Sequence, residues 1–496
     1  MTDAREGAPD ALLKRRRAGL LLHPTSLPGG GLGPDAYRFV EFMAAAGQTV
    51  WQTLPLGPTH NDRSPYQCLS VFAGRHALIS LEGLAAAGWL EAAPEDEARD
   101  DLDRRDQLIA EACKRFSDRA SPQERHAYDE FRQHNCYWLD DYSLYQALRI
   151  EHDRSSWLEW PAALRDRQAK ALDKARQRLA PVIERTCFTQ FVFHRQWLEL
   201  KRYANEHGVL LFGDLPIFVA HDSAEVWARR HYFTLDDHGR ALTVAGVPPD
   251  YFSATGQYWG NPHYRWDRMQ QNGFEWWRRR IEHQLELFDL VRIDHFRGFE
   301  AYWEIPAGAE TAMEGRWVNA PGDALFTALQ ASIDPLPLVA EDLGVITAEV
   351  DQLRHKIGFP GMKVLQFAFD GGSANPYLPH NHEPDYVVYT GTHDNNTTVG
   401  WFNGLKPKDR EHVQAYLGYP GEDMPWPLIR AAYESVARLA MVPMQDVLAL
   451  GDEHRMNVPG VTEGNWGWGF HWQQVPEDLA GRLHALSATY GRTPGQ

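Results

Sequence analysis

The sequence predicts an α/β fold, a (β/α)8 TIM barrel that carries inserted helical and loop subdomains. Short apolar or β-branched runs recur along the 496 residues, and several of them end in polar residues or glycine. Amphipathic stretches of helical length follow these runs. Near-continuous apolar character is typical of strands buried on both faces, as in a parallel sheet covered by helices.

The number of such runs matches the strand count of a barrel. We count eight, at residues 18–23, 49–56, 209–215, 290–295, 336–343, 363–369, 386–392 and 446–450. Each is predicted to be one barrel strand.

The spacing of the runs predicts the domain organisation. Residues 1–17 are expected to form a polar, flexible tail, and residues 18–496 a single barrel domain. The gap between the second and third runs is too long for one crossover helix, so a helical insertion is predicted at about residues 60–200. A stretch at about residues 229–275, rich in Gly, Pro and aromatic side chains, is predicted to be a structured lid loop over a site.

Composition excludes several classes of protein. The formal charge of −17 and the absence of a basic stripe argue against nucleic-acid binding. No segment has the roughly 20 continuous apolar residues of a membrane span, and the basic N-terminal cluster does not lead into a signal peptide. Four widely spaced cysteines favour a reducing cytoplasm. The 18 Trp, 19 Tyr and 22 Phe exceed ordinary core needs, so some rings are candidates to stack on a ligand.

Acidic residues end four of the runs, where the active site of a barrel is built. They are Asp214 in LLFGDLP, Asp294 in LVRIDHF, Glu341 in LVAEDLG and Asp394 in VVYTGTHD. A single acid at such a position is as often a helix N-cap or a loop ligand. Four together favour a catalytic site.

Two of these acids have neighbours that predict different roles. Strand alternation places Arg292 beside Asp294, and a guanidinium favours the ionised carboxylate that a nucleophile must be. Like charge around Glu341 would raise its pKa and let it donate a proton. This division of labour is that of a retaining glycosidase. A buried Arg–Asp pair without a catalytic role is the alternative.

Other patterns in the sequence predict no cofactor or metal. Gly31, Gly33 and Ala36 match a dinucleotide loop only weakly, and no acid follows at the required distance. His380, His382 and Glu383 lie in a Pro- and Asn-rich loop without a second ligand cluster. The first group is interpreted as a bend in a loop, and the second as polar residues at the surface.

Six motifs occur in order between Ala18 and Trp468. They are SPYQ from Ser64, GDLPIFVAHDSAEVWA from Gly213, VAGVPPDYFSATGQYWGNP from Val244, RIDHFRGFEAYWEIP from Arg292, VAEDLG from Val339 and TGTHDNNTTVGW from Thr390. With these motifs the chain resembles 4-α-glucanotransferases of the amylomaltase type. The resemblance implies disproportionation of α-1,4-glucans, such as maltooligosaccharides, glycogen or starch chains, without a cofactor.

The resemblance also implies roles for individual residues. Asp294 resembles the nucleophile, Glu341 the general acid/base and Asp394 the stabiliser of the transition state. Residues that resemble sugar-binding positions are Tyr66, Asp214, Tyr251, Gln257, Trp259, Arg292, His393 and Asn465. Aromatic rings of the lid would hold the acceptor and exclude water, which a transferase requires. Packing of those rings onto the barrel is the alternative.

Two other functions stay open at this stage. An α-glucan hydrolase would use the same acids with water as the acceptor, and a non-catalytic glucan-binding protein would keep the barrel. The sequence also departs from the family pattern at Arg75 and His76, where Asn-Pro is usual, and at Gly469, where Arg is usual. These departures leave the proposed catalytic acids untouched.

Overall fold

The computed structural model describes residues 15–93, 101–249, 254–461 and 463–493. Twelve strands lie in these ranges. They are β1 Arg17–Leu21, β2 Val50–Gln52, β3 Leu210–Pro216, β4 Thr243–Val247, β5 Gln257–Pro262, β6 Leu290–Asp294, β7 Ala301–Pro306, β8 Arg316–Asn319, β9 Leu338–Ala340, β10 Gly361–Val364, β11 Tyr386–Tyr389 and β12 Leu439–Pro443.

Eight of the strands form one parallel sheet that closes into a barrel. Their order is β10-β11-β12-β1-β2-β3-β6-β9. Closure between the two ends of this order is made where Ala340 N donates to Pro360 O at 2.9 Å, just before β10 begins. Helices surround the sheet, so the predicted (β/α)8 TIM barrel is confirmed.

One predicted barrel strand was wrong. Residues 446–450 do not form the eighth strand, which is β12 at Leu439–Pro443. Pro443 ends β12 and precedes a helical turn at Met444–Val447, because its fixed φ suits the start of a helix better than the continuation of a ladder. The apolar run 446–450 belongs to this turn and the loop after it.

Seventeen α-helices lie in the described residues. They are α1 Pro34–Ala45, α2 Leu81–Ala86, α3 Leu102–Arg119, α4 Pro122–Glu151, α5 Ala162–Arg165, α6 Ala169–Arg178, α7 Ala180–Glu206, α8 Ala224–Ala228, α9 Trp266–Gln271, α10 Glu275–Leu287, α11 Gly322–Gln330, α12 Ala348–Ile357, α13 Thr398–Gly404, α14 Pro407–Tyr416, α15 Trp426–Glu434, α16 Met444–Val447 and α17 Leu479–Thr489. No helix among the described residues is long and apolar enough to cross a membrane.

The long connection between β2 and β3 contains helices α2 to α7. Its longest helix, α4, begins at a capping box in which Ser121 and Glu124 satisfy each other's backbone N–H groups. The aromatic stripe of α4 is buried against the rest of the molecule, with Trp138, Tyr142 and Tyr145 all less than 6% exposed. The stripe is therefore core packing.

The segment predicted as a lid loop contains regular structure. Strands β4 and β5 pair antiparallel with β7 and β8 in a four-stranded sheet of order β5-β4-β7-β8. We call this sheet the lid sheet. Two of its strands, β7 and β8, follow β6 and were not predicted. β7 lies within the motif that begins at Arg292, whereas β8 lies beyond it and outside all eight apolar runs.

The inside of the barrel is arranged in layers. An apolar layer takes side chains from seven of the eight barrel strands, including Phe212, Leu290 and Val339. Toward the carboxyl ends of the strands, alternation continues the inward row with Asp214, Arg292 and Glu341. The polar groups therefore lie directly next to the apolar layer, on the side of the carboxyl ends of the strands.

Candidate active site

Asp294 and Glu341 end neighbouring strands at the same edge of the barrel. Strands β6 and β9 are paired with Ile293 opposite Ala340, so the next residue of each strand is one of the two acids. Glu341 N donates to Ile293 O at 3.0 Å, which fixes this level. Adjacent strands lie about 4.8 Å apart, so the two acids emerge side by side.

Arg292 donates hydrogen bonds to the carboxylates of both Asp294 and Asp214. Its Nη2 donates to Asp294 Oδ1 at 2.6 Å and its Nη1 to Asp214 Oδ2 at 2.5 Å. The Arg292 side chain is 6% exposed, the Asp214 side chain is fully buried, and that of Asp294 is 29% exposed. Of the three side chains, Asp294 alone therefore faces the open groove.

Burial and charge oppose each other at Asp294. Burial raises its pKa to about 6, Arg292 lowers it, and Asp214 and Asp394 raise it again. The predicted effect of Arg292 is present but is outweighed by desolvation. Asp294 is therefore ionised near neutral pH with only a small margin.

Glu341 keeps its proton to a higher pH than Asp294. Burial is the main cause and the charge of Asp294 the second, and together they raise the pKa of Glu341 to about 8. The predicted direction agrees, but like charge is the smaller contribution. Of this coupled pair, the proton that remains near neutral pH belongs to Glu341.

The backbone after β6 and β9 orients the Glu341 carboxyl group. His295 N donates to Glu341 Oε2 at 2.7 Å, and Leu343 N donates to Oε1 at 3.0 Å. His295 has a φ of 55°, which turns the chain sharply after Asp294. The strained backbone of His295, which directly follows Asp294, therefore places its N–H against the carboxyl group of Glu341.

Asp394 lies in the loop after β11, and its side chain is 47% exposed to the groove. Burial would raise the pKa of this carboxylate, but His393 at 3.3 Å, Asn457 and Arg292 hold it well below its usual range. Asn457 Nδ2 donates to Asp394 Oδ1 at 2.6 Å. Asp394 is therefore a permanent anion that can accept hydrogen bonds from a ligand.

Tyr66 lies between Asp214 and His393 and contacts both. Its hydroxyl donates to Asp214 Oδ2 at 2.6 Å, and its ring stacks on His393 with centroids 5.2 Å apart. Trp466 lies 5.9 Å from both rings, measured between centroids. The three rings form an aromatic surface beside Asp394.

The lid sheet brings two further predicted residues toward the acids. Trp259 packs edge-on against His295 with centroids 4.9 Å apart, and its indole N–H donates to Gln257 Oε1 at 3.1 Å. Gln67, next to Tyr66, donates to Trp259 O at 3.4 Å. Tyr251, also predicted to bind sugar, lies outside the described residues.

Asn465 is occupied within its own loop. Its amide donates to Val461 O at 2.8 Å, and its oxygen accepts from Val458 N at 3.0 Å. These bonds close the turn between Asn457 and Trp466. The predicted acceptor-side role of Asn465 stays a prediction.

Sequence reasoning missed four residues of this site, namely His23, His295, Asn457 and Trp466. His23 ends the first apolar run, and its Nδ1 lies 3.0 Å from Thr53 Oγ1. A strand-end position could have identified His23 and His295. Asn457 and Trp466 follow the eighth strand, which was placed wrongly. Trp466 is next to Asn465, which the resemblance had identified, whereas no signal pointed to Asn457.

Fold and site together define a carbohydrate-active barrel enzyme with paired carboxylates at the carboxyl ends of its strands. The described residues contain no group of three or more His, Cys, Asp or Glu side chains placed to hold a metal ion. Residues 22–474 match the family model described as 4-alpha-glucanotransferase. The chain belongs to the 4-alpha-glucanotransferase family.

Similar proteins span nearly the whole chain. A 4-alpha-glucanotransferase of Thermus thermophilus is 51% identical, over 95% of this chain and 98% of its own. One of Synechocystis is 47% identical, over 97% and 99%. The structure of amylomaltase from Streptococcus agalactiae in complex with acarbose has a TM-score of 0.93 and 35% identity, and covers 97% of this chain and all of that one. This chain is a 4-alpha-glucanotransferase.

Proposed function

We propose that transfer proceeds by a retaining double displacement in which Asp294 is the nucleophile and Glu341 the general acid/base. The observation that carries this proposal is the pairing of an ionised Asp294, held by Arg292, with a Glu341 that keeps its proton. The two carboxyl groups emerge from adjacent strands. Adjacent strands lie about 4.8 Å apart, which is compatible with the roughly 5–5.5 Å between carboxyl groups that a retaining site requires.

In the first step, an Asp294 oxygen attacks the anomeric carbon of the donor glucan. Glu341 gives its proton to the departing O4 of the leaving chain, and a covalent glycosyl-enzyme forms. Glu341 is then a carboxylate stabilised by the His295 and Leu343 N–H groups. These two donors favour the charged form just when it appears.

In the second step, Glu341 takes the proton from the 4-hydroxyl of an acceptor glucan or glucose, and this oxygen attacks the same carbon. Two inversions restore the α configuration. Asp394 accepts hydrogen bonds from hydroxyls of the reacting ring and opposes the positive charge of the oxocarbenium-like transition state. Tyr66 and His393 offer the ring a stacking surface.

Transfer rather than hydrolysis follows from the lid sheet in this proposal. Trp259 and Gln257 stand over His295, beside the acid/base. A ring at this place holds an acceptor sugar and reduces access of water to the intermediate. We assign acceptor binding to this surface of Trp259 and Gln257. We also propose that residues 229–275 form the lid subdomain.

The substrates we propose are maltooligosaccharides and glycogen- or starch-type α-1,4-glucans. The complex of the Streptococcus agalactiae amylomaltase with acarbose supports this class of ligand. We also propose action in the cytoplasm, because Cys68, Cys113, Cys136 and Cys187 are all free.

Maltotriose distinguishes transfer from hydrolysis. The purified enzyme is expected to release glucose and build a ladder of longer chains while total reducing ends stay constant. Products are followed by chromatography, and reducing ends by a colorimetric assay. Rising reducing ends without longer chains would show hydrolysis instead.

Replacing the nucleophile tests the assignment within the site. D294N keeps the shape of the side chain but removes its charge, so kcat is expected to fall by at least about a thousandfold, or roughly 4 kcal/mol in the barrier. Acarbose binding, measured by calorimetry, should persist. Turnover close to the parent level would remove Asp294 from this role.

A further inference from the structure

A large cavity lies away from the proposed catalytic acids, between the chain segment 58–77 and the inserted helices. It has a volume of about 440 Å³, within the range of small-molecule sites. Five arginines line it, and we call it the basic cavity. They are Arg63, Arg75, Arg149, Arg154 and Arg185.

The charge of this cavity is opposite to that of the whole protein. The chain carries a formal charge of −17, yet Asp106 is the one carboxylate among the described residues that line the cavity. It lies 3.5 Å from His76 Nε2. The five guanidinium groups therefore have a single carboxylate beside them in the cavity lining, and that carboxylate lies against a histidine.

Four of the five guanidinium groups have no hydrogen-bond or ion-pair partner among the described residues. Within the described residues, the side chains of Arg63, Arg75, Arg154 and Arg185 make no hydrogen bond or ion pair, unlike most arginines of the helical insertion. Arg149 is 13% exposed, and its one ion pair, to Asp222, is long at 3.8 Å. Arg75 and Arg185 are half-buried, whereas Arg63 and Arg154 are exposed. A partly desolvated cation without a partner is costly, so a bound anion would offset that cost at Arg75 and Arg185.

Mutual repulsion inside the cavity supports the same interpretation. Burial lowers the pKa of Arg75, and nearby Arg63 lowers it further. Burial also lowers the pKa of His76, which is additionally lowered by Arg75 and Arg154 although Asp106 opposes them. These side chains also line one cavity, so one ligand can reach several of them.

Neutral polar groups of the wall are already used. Gln190 binds both the N–H and the C=O of Gly74 at 2.7 and 2.9 Å. Thr186 and Thr189 donate to carbonyls of their own helix, and Gln146 donates to Tyr142. Few neutral partners remain for sugar hydroxyls, whereas the charged donors are free.

We propose that the basic cavity is an accessory binding site for a phosphate ester of a sugar or nucleoside. Two or more of the arginines would hold the phosphate oxygens in the bidentate manner that a guanidinium allows. Leu69, Ala77 and Ile109 supply an apolar wall for the organic part. Arg75 and His76, which depart from the family pattern, take part through their charge and position.

Calorimetric titration with glucose 1-phosphate and with adenosine monophosphate tests the site. At least one is expected to bind saturably and to raise the melting temperature of the protein. In the double variant R75Q/R154Q its affinity is expected to fall at least about tenfold, because each charge-assisted bond is worth about 1.5–3 kcal/mol. High salt should weaken binding to the parent protein.

The matched control is R202Q/R278Q, which removes two exposed arginines that pair with Glu206 and Glu282 on helix surfaces. It makes the same change in net charge and should bind the ester as the parent does. The ligand-free R75Q/R154Q variant should melt no lower than the parent, since it loses repulsion rather than contacts. Failure of both esters to bind, or equal affinity in the cavity variant and the control, would overturn the proposal. Glucose binding at this site as tightly as glucose 1-phosphate would also overturn it.

Discussion

At the scale of single residues, the site depends on how protein surroundings separate two similar carboxyl groups. Asp294 has a guanidinium at 2.6 Å, and Glu341 has only backbone N–H donors. Burial raises the pKa of both, but Arg292 offsets more of that rise at Asp294. The proposed nucleophile and the proposed acid therefore differ by their neighbours rather than by their chemistry.

These pKa values predict a bell-shaped pH dependence of kcat/KM. Activity should rise as Asp294 loses its proton near pH 6 and fall as Glu341 loses its proton near pH 8. Initial rates of glucose release from maltotriose between pH 4.5 and pH 9.5, a range of about five units, would show both limbs. Circular dichroism at each pH separates titration from unfolding. A flat profile up to pH 9.5, roughly 1.5 units above the predicted limb, would contradict the role of Glu341.

Asn457 is predicted to position Asp394. N457A removes the 2.6 Å bond to Asp394 Oδ1, and kcat is expected to fall about tenfold to a hundredfold, since a hydrogen bond to a charged group contributes about 1.5–3 kcal/mol. KM for maltotriose should change much less. N457D is the isosteric comparison and should lose more activity, because two carboxylates would then face each other. Equal kcat for N457A and the parent would contradict this role.

At the scale of elements, β1 shows how one small residue sets the packing of the barrel. Gly19 is paired with Val50 on β2 and Met441 on β12, both in the apolar layer. A Cβ at Gly19 would lie 2.2 Å from Val50 O and 2.8 Å from Met441 Sδ. Atoms of β2 and β12 therefore already fill the space that a side chain at position 19 would need.

G19A is predicted to destabilise the protein by overpacking, by about 1–3 kcal/mol in the free energy of unfolding. The matched control is G481A on α17, where an added Cβ has no neighbour within 4 Å and a helix-favouring residue should stabilise by about 0.5–1 kcal/mol. Urea unfolding followed by tryptophan fluorescence measures both. Equal midpoints for the two variants would contradict the packing argument.

At the scale of the whole molecule, function depends on two separate sheets meeting at one groove. The barrel supplies the acids, and the lid sheet supplies Trp259 at 4.9 Å from His295, measured between ring centroids. The segment with Tyr66 and Gln67 joins them, since it contacts Asp214 on one side and the Trp259 backbone on the other. In the proposed mechanism, the balance of transfer and hydrolysis therefore depends on this assembly.

W259A is predicted to shift products toward hydrolysis, raising the ratio of reducing ends formed to glucosyl units transferred by roughly fivefold to tenfold, the equivalent of one aromatic contact. Y258A is the control, because Tyr258 is the next residue of β5, points to the opposite face and is 43% exposed. The maltotriose assay measures both. An unchanged ratio in W259A would assign that ring to packing alone.

Local patterns in the sequence were sufficient to predict most of the barrel strands and to select four candidate acids. Seven of the eight barrel strands were identified from apolar runs, because strands buried on both faces have no polar residues to interrupt them. The eighth was missed in favour of a nearby run, since 439–443 and 446–450 are similarly apolar and differ mainly in the position of Pro443. Strand-end position then led to Asp214, Asp294, Glu341 and Asp394.

The sequence by itself determined the barrel and the family and pointed to the candidate catalytic acids, because period, strand ends and ordered motifs are local properties of the chain. Only the tertiary structure decided how Asn457 reaches Asp394 across 63 positions, how Tyr66 reaches Asp214 across 148, and how five arginines gather in one cavity. It also decided that burial, more than neighbouring charge, raises the pKa of Glu341. Contacts and desolvation depend on distances in space, which no local pattern contains.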